Sequence, residues 1–90
     1  MTKVMIPTSL RPHVDGQRFV EIDGQNVGTI LTELAKQYPN LKSHLYDDDG
    51  QLVSFINVFV GDENIRDRDG VQTNLNDRDE ILLVPAMAGG

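Results

Sequence analysis

The chain has 90 residues, 39% of them hydrophobic and 24% charged; it carries enough apolar material for one small core, too little length for two, and too much apolarity for a disordered segment. Fourteen acidic residues against eight basic ones give a formal charge of -6, which repels phosphate backbones and anionic membrane surfaces and favours a basic protein partner. The absence of cysteine excludes disulfides, thiolate metal sites, iron–sulfur clusters and a cysteine nucleophile. No apolar run approaches the roughly 20 residues of a membrane span, and Met1 to Pro12 lacks the apolar core of a signal peptide. Neither nucleic acid nor a membrane is therefore expected as a partner, and the cytoplasm is the expected compartment.

In chain order, KVMI at Lys3 to Ile6 predicts a short strand whose alternate residues Val4 and Ile6 face a core, closed by Pro7. RFVEI at Arg18 to Ile22 predicts a second strand, and HVDGQ before it supplies a turn at Asp15 and Gly16, so that the two make a hairpin. The period then changes: Val27, Ile30, Leu31, Leu34, Ala35 and Tyr38 recur at helical spacing, with Asn26 as the N-cap and Pro39 as the stop after Tyr38. A linking segment with a helical turn around Leu41 to Leu45 leads into SFINVFV, Ser54 to Val60, the strongest strand pattern. There Ile56, Val58 and Val60 point inward, and Phe55, Asn57 and Phe59 outward. A turn at Gly61 and Asp62 brings Glu63 to Ile65 back as a small strand. Gly70 to Leu75 forms another turn, and EILLV at Glu80 to Val84 is the final strand.

The order β β α β β β predicts an α+β domain in which a single helix covers one face of a mixed sheet. This is the order of the ubiquitin-like β-grasp fold. Plant-type ferredoxins share that fold but need four cysteines, so electron transfer is excluded. The folded domain is expected over residues 1–84, with 85–90, PAMAGG, as a free tail. Pro85 cannot donate a ladder hydrogen bond and marks the exit from the sheet. Six extended residues reach at most roughly 20 Å. Gly89 and Gly90 give that arm a tip thin enough for a narrow channel. The only chemistry at the tip is a carboxyl group, with a pKa of about 3.5 and hence anionic and poorly electrophilic at neutral pH. A partner must activate it, typically by adenylation with ATP.

The pattern INVFVGDENI followed by DGVQTNLNDRDEILLVPAMAGG resembles the MoaD/ThiS family of sulfur-carrier proteins, over the whole chain. The opening IPTSLRPHVDGQ, Ile6 to Gln17, and the length resemble the CysO-type carriers of cysteine biosynthesis more than the shorter ThiS proteins. The resemblance implies a cycle in which an E1-like adenylyltransferase and sulfurtransferase activates Gly90 with ATP and a sulfur donor converts the adenylate to a thiocarboxylate. The carrier then delivers sulfur to a pyridoxal-phosphate-dependent cysteine synthase, and a metalloprotease releases the product and restores Gly90. Such a carrier is no enzyme and binds no cofactor; base, metal and cofactor belong to the partners. In one respect the chain departs from the family pattern: the turn NDRD before the last strand has Arg78 where a glycine is expected.

Partner recognition is expected on the sheet face beside the tail. With Ile81 and Leu83 inward, Leu82, Val84, Phe59 and Met5 point outward, and Met87 and Ala88 continue the contact along the arm. Other residues offer less. His13 and His44 are far apart in sequence and show no metal-ligand spacing. Asp47, Asp48, Asp49 and Gly50 read as a solvated turn, because QLVSF supplies no bidentate glutamate for calcium. Asp62, Glu63, Asp67, Asp69, Asp77, Asp79 and Glu80 either complement a basic enzyme or serve solubility. Three other functions fit the same residues. They are sulfur carriage to the molybdopterin synthase large subunit, modification of lysines through an isopeptide bond at Gly90, and a plain interaction module that never uses its terminus.

Overall fold

The computed structural model describes residues 1–85 of the chain. Five strands form one sheet: β1 (Thr2–Met5), β2 (Phe19–Ile22), β3 (Ile56–Val60), β4 (Glu63–Asn64) and β5 (Glu80–Pro85). Their order across the sheet is β2-β1-β5-β3-β4. The central β1 and β5 run parallel, and every other pairing is antiparallel. The mixed sheet expected from the sequence is therefore present, with the last strand at its middle.

Two-residue alternation decides which side of the sheet is buried. Val4, Val20, Ile22, Ile56, Val58, Val60, Ile81 and Leu83 all lie on the covered side, each at 6% exposure or less. Against them packs α1 (Val27–Gln37), whose Val27, Ile30, Leu31 and Leu34 have no exposed surface. Full burial of such a side chain is worth about 1.5–3 kcal/mol, so this helix face and its sheet account for most of the core. Asn26 begins the helix as expected: its backbone is extended and its Oδ1 accepts a hydrogen bond from Thr29 N at 2.8 Å.

A second helix packs beside the first. The first ends at Gln37, and Pro39 opens α2 (Pro39–Leu45) instead of leading only into a linker. A proline at the first helical position loses nothing, because that N–H has no intrahelical acceptor in any case. Tyr38, at φ -129° and ψ 80°, is the joint between the helices. Leu41 and Leu45 turn the expected helical turn into a packed element, both fully buried.

The β1–β2 hairpin is present, but its connection is more than the turn read from HVDGQ. A 3-10 helix, Thr8–Val14, fills it and buries Leu10 and Val14. The turn itself lies where expected, with Asp15 at φ 58° and Gly16 at φ 78°. Boundaries differ by a residue or two elsewhere. β1 is Thr2–Met5 although Ile6 is buried, Ser54 and Phe55 precede β3 in a turn, and Ile65 leaves β4 to open a short 3-10 turn, Ile65–Asp67. A second 3-10 turn, Gly70–Gln72, lies within the turn expected at Gly70 to Leu75. Pro85 is still within β5, opposite Ile56, so the strand runs one residue beyond Val84. No described helix is long and apolar enough to cross a membrane.

Arg78 has a local explanation. Asp79 N donates to Asn76 O at 3.1 Å, Asn76 N to Asp79 Oδ2 at 3.0 Å, and Arg78 N to Asn76 Oδ1 at 2.9 Å. Asn76 and Asp79 thus close the turn with their side chains. Among the described non-glycine residues only Asp15 has a positive φ, so the position of Arg78 makes no demand that only glycine could meet.

Candidate functional site

The side of the sheet away from the helices carries the candidate site. Register brings its apolar residues into one rung that crosses every strand: Phe19 faces Met5, Met5 faces Leu82, Leu82 faces Phe59, and Phe59 faces Asn64. Neighbouring strands lie about 4.8 Å apart, so the four apolar members span about 14 Å. Val84 stands one step nearer the end of β5, opposite Asn57, and is 39% exposed. The sequence expectation for Met5, Phe59, Leu82 and Val84 is met in position: all four share the uncovered face. Met87, Ala88, Gly89 and Gly90 lie outside the described residues.

One member of the rung, Phe19, was not anticipated. It is 41% exposed, and the Lys3 ammonium lies 4.5 Å from the centre of its ring, a cation–π contact worth about 0.5–1 kcal/mol at an exposed position. The alternation in FVEI held the signal, because Val20 and Ile22 inward require Phe19 outward. Lys3 has Glu21 and Glu80 as strand partners on either side. The rung is thus bordered on one edge by charge of both signs and on the other by the amides of Asn57 and Asn64, which meet at 3.4 Å.

The Asp47 to Gly50 turn and the two histidines fall away from this face, whereas Glu80 borders it beside Lys3. Asp47 Oδ1 accepts from Asp49 N and Gln51 N at 2.9 and 3.1 Å, and Gly50 has φ 79°, the solvated turn expected there. His13 and His44 correct their sequence reading in part: the 3-10 helix and α2 bring their rings to 4.2 Å between centroids. No group of three or more metal-ligating side chains exists among the described residues, so the pair has no third ligand. A concavity of about 650 Å³ opens between α1 and the Asp47 to Gly50 turn, with Thr29, Thr32, Tyr46, Gln51 and Val71 in its walls. No β5 residue lines it.

A five-stranded mixed sheet, a helix packed on one face with a second beside it, and an open apolar face that includes the last strand define a ubiquitin-like β-grasp domain. Within that class the chain belongs to the ThiS family, whose model matches residues 4–90. It is 38% identical over 89 residues to the sulfur carrier protein CysO of Mycobacterium tuberculosis, a match covering 97% of this chain and 96% of that protein. Among solved structures it superposes on one chain of the BexX/CysO complex of Amycolatopsis orientalis with a TM-score of 0.89 at 36% identity, covering 100% of this chain and 100% of that one. Small archaeal modifier protein 1 of Methanosarcina acetivorans gives a TM-score of 0.85 at 32% identity, with 99% of this chain and 95% of that one covered. The relatives place this chain with ubiquitin-like sulfur carriers and not with enzymes.

Proposed function

We propose that this protein carries sulfur as a thiocarboxylate on Gly90, most specifically for cysteine synthesis, in the cytoplasm. The observation that carries the proposal is the near full-length likeness to a CysO sulfur carrier, with a family match that continues through Gly90. The geometry agrees with it. β5 supplies two of the face's apolar residues, Leu82 and Val84, and also leads toward Gly90, so a partner docked on the face has the carboxyl group within an arm's length. Five residues beyond Pro85 extend at most about 17 Å.

The chemistry runs in four steps. A carboxylate oxygen of Gly90 attacks the α-phosphorus of ATP on an E1-like adenylyltransferase, and pyrophosphate leaves. A hydrosulfide-equivalent nucleophile then adds to the acyl carbon and AMP departs, leaving the thiocarboxylate. Its sulfur, a soft nucleophile, attacks the acceptor held by a pyridoxal-phosphate-dependent cysteine synthase, which joins the product to the carrier through the Gly90 acyl carbon, and a metalloprotease then hydrolyses that link with one water, releasing the sulfur-bearing product and the Gly90 carboxylate. ATP and pyridoxal phosphate belong to the partners, and the absence of cysteine means that no thiol within the carrier intercepts the acyl adenylate. Gly89 gives the tip access, and Met87 and Ala88 contact the channel wall. Phe59, Leu82 and Val84 dock the body.

The likeness to a small archaeal modifier supports a second reading, in which the activated Gly90 is captured by a lysine amine. Delivery to the molybdopterin synthase large subunit is the alternative within sulfur carriage. Pyrophosphate exchange with candidate activating enzymes tests the shared first step. Exchange supported by the free Gly90 terminus, and lost when a residue is appended to it, is the expected result; exchange that survives the appended residue contradicts the proposal. Higher-mass adducts on denaturing gels would select the modifier reading, and sulfur delivery to one synthase only would select between the carrier readings.

A further inference from the structure

Among the described large apolar side chains other than Met1, Phe55 is the most exposed, at 55%. It does not sit on an unsupported loop. Ile56 N donates to Val53 O at 3.5 Å across the turn that holds Phe55, and Arg66 Nη2 donates to Ser54 O at 3.2 Å. Arg66 is itself tied down: its backbone N–H bonds to Asn64 Oδ1 at 2.9 Å, and Asn64 Nδ2 reaches Asn57 Oδ1 at 3.4 Å. A chain of polar contacts therefore runs from β3 through β4 to the turn that presents the ring.

Its place is as informative as its exposure. Phe55 immediately precedes Ile56, which pairs with Pro85, so it stands at the end of the sheet from which the chain continues toward Gly90. Four residues along β3 lies Phe59, about 13 Å away at the usual rise of a strand, with Val84 beside the intervening Asn57. The apolar rung and this turn thus bracket the exit of β5. An exposed aromatic held by a braced turn contributes little to the core, yet it offers large contact area at low entropic cost. The arm offers much less. Ala86, Met87, Ala88, Gly89 and Gly90 have only one long side chain among them, so the arm by itself cannot set how deeply its carboxylate enters an active site.

We propose that Phe55 is a positioning residue for the activation of Gly90: its ring seats on the apolar rim of the channel in an ATP-dependent acyl-adenylating enzyme and fixes the depth to which the arm enters. The inference rests on the reading of Gly90 as the activated carboxyl. In-line attack on the α-phosphorus demands that depth, since misplacement of a reacting atom by about 1 Å costs about 100-fold in rate.

The test is pyrophosphate exchange with the full chain as substrate, comparing wild type, Phe55→Ala, Phe55→Tyr and Val71→Ala. Val71 is similarly exposed, at 43%, but lies in the groove beside α1. Phe55→Ala should lower kcat/KM for the carrier about tenfold, with kcat sharing in the fall and the unfolding temperature unchanged. Phe55→Tyr should restore most of the rate, and Val71→Ala should match wild type. Equal rates for Phe55→Ala and wild type would overturn the inference alone. A raised KM with unaltered kcat would also overturn it, by reducing Phe55 to a simple binding contact. No exchange with the wild-type chain and any activating enzyme would overturn the reading of Gly90 and this inference together.

Discussion

The two sides of the sheet are built from the same strands, and residue by residue they alternate, yet only one side is explained by folding. On the covered side Val4, Ile81, Leu83, Val58 and Val60 are at most 4% exposed and pack under α1. On the other side Met5, Phe19, Phe59, Leu82 and Val84 are just as apolar in type, and no described element covers them. Hydrophobic residues that stay in contact with water contribute little to stability, and their alignment across four strands is the feature that the proposed docking of a partner would use. A core residue and an outward-facing apolar residue can therefore be neighbours in sequence, as Ile81, Leu82 and Leu83 are, and differ only in the side of the pleat they occupy.

That contrast is open to direct attack. The largest effect belongs to the arm: removal of Gly90 should abolish activation entirely while leaving thermal unfolding unchanged, as pyrophosphate exchange and calorimetry on the same sample would reveal. Next comes the covered side. Ile81→Ala should destabilise the fold by about 2–5 kcal/mol in chemical denaturation, through lost burial and the cavity left behind. Leu82→Asp, one residue away, should do the converse, weakening binding of the activating enzyme by about tenfold or more while stability falls by about 1 kcal/mol or less. Equal losses of binding and stability at Leu82 would erase the distinction between the sides. The smallest effect is expected at Asn26→Ala, which removes the cap bond to Thr29 and should cost about 1 kcal/mol in stability with no change in partner binding.

Alternation made much of this architecture readable in advance. Ile56, Val58 and Val60 inward, Ile81 and Leu83 inward, and Met5, Phe59, Leu82 and Val84 outward all follow from period two, and Asn26 from the polar residue preceding an apolar helical stripe. What escaped is what local pattern does not encode. Pro39 punctuates a sequence equally well as a stop or as the first residue of a new helix, and only the burial of Leu41 and Leu45 decides between them. Thr8 to Val14 carries a 3-10 helix inside a hairpin connection, where the signal at Asp15 and Gly16 suggested a turn alone. His13 and His44 meet through the packing of that helix on α2, a contact between residues 31 positions apart. The rung itself depends on register across four pairings, so the outward direction of Phe19 was readable but its alignment with Met5, Leu82 and Phe59 was not. Arg78 illustrates the opposite error, in which a family expectation of glycine implied a backbone demand that the Asn76 and Asp79 side chains remove.

The most direct test of the carrier assignment is the intact mass of the protein with its natural carboxyl terminus, after incubation with ATP, sulfide and a candidate activating enzyme. Replacement of one oxygen by sulfur, absent when ATP is withheld or Gly90 deleted, is the result the account predicts. An unchanged mass with every activating enzyme of the same cell, alongside intact binding through Leu82 and Phe59, would contradict it and leave the open face of the sheet as the whole of the function.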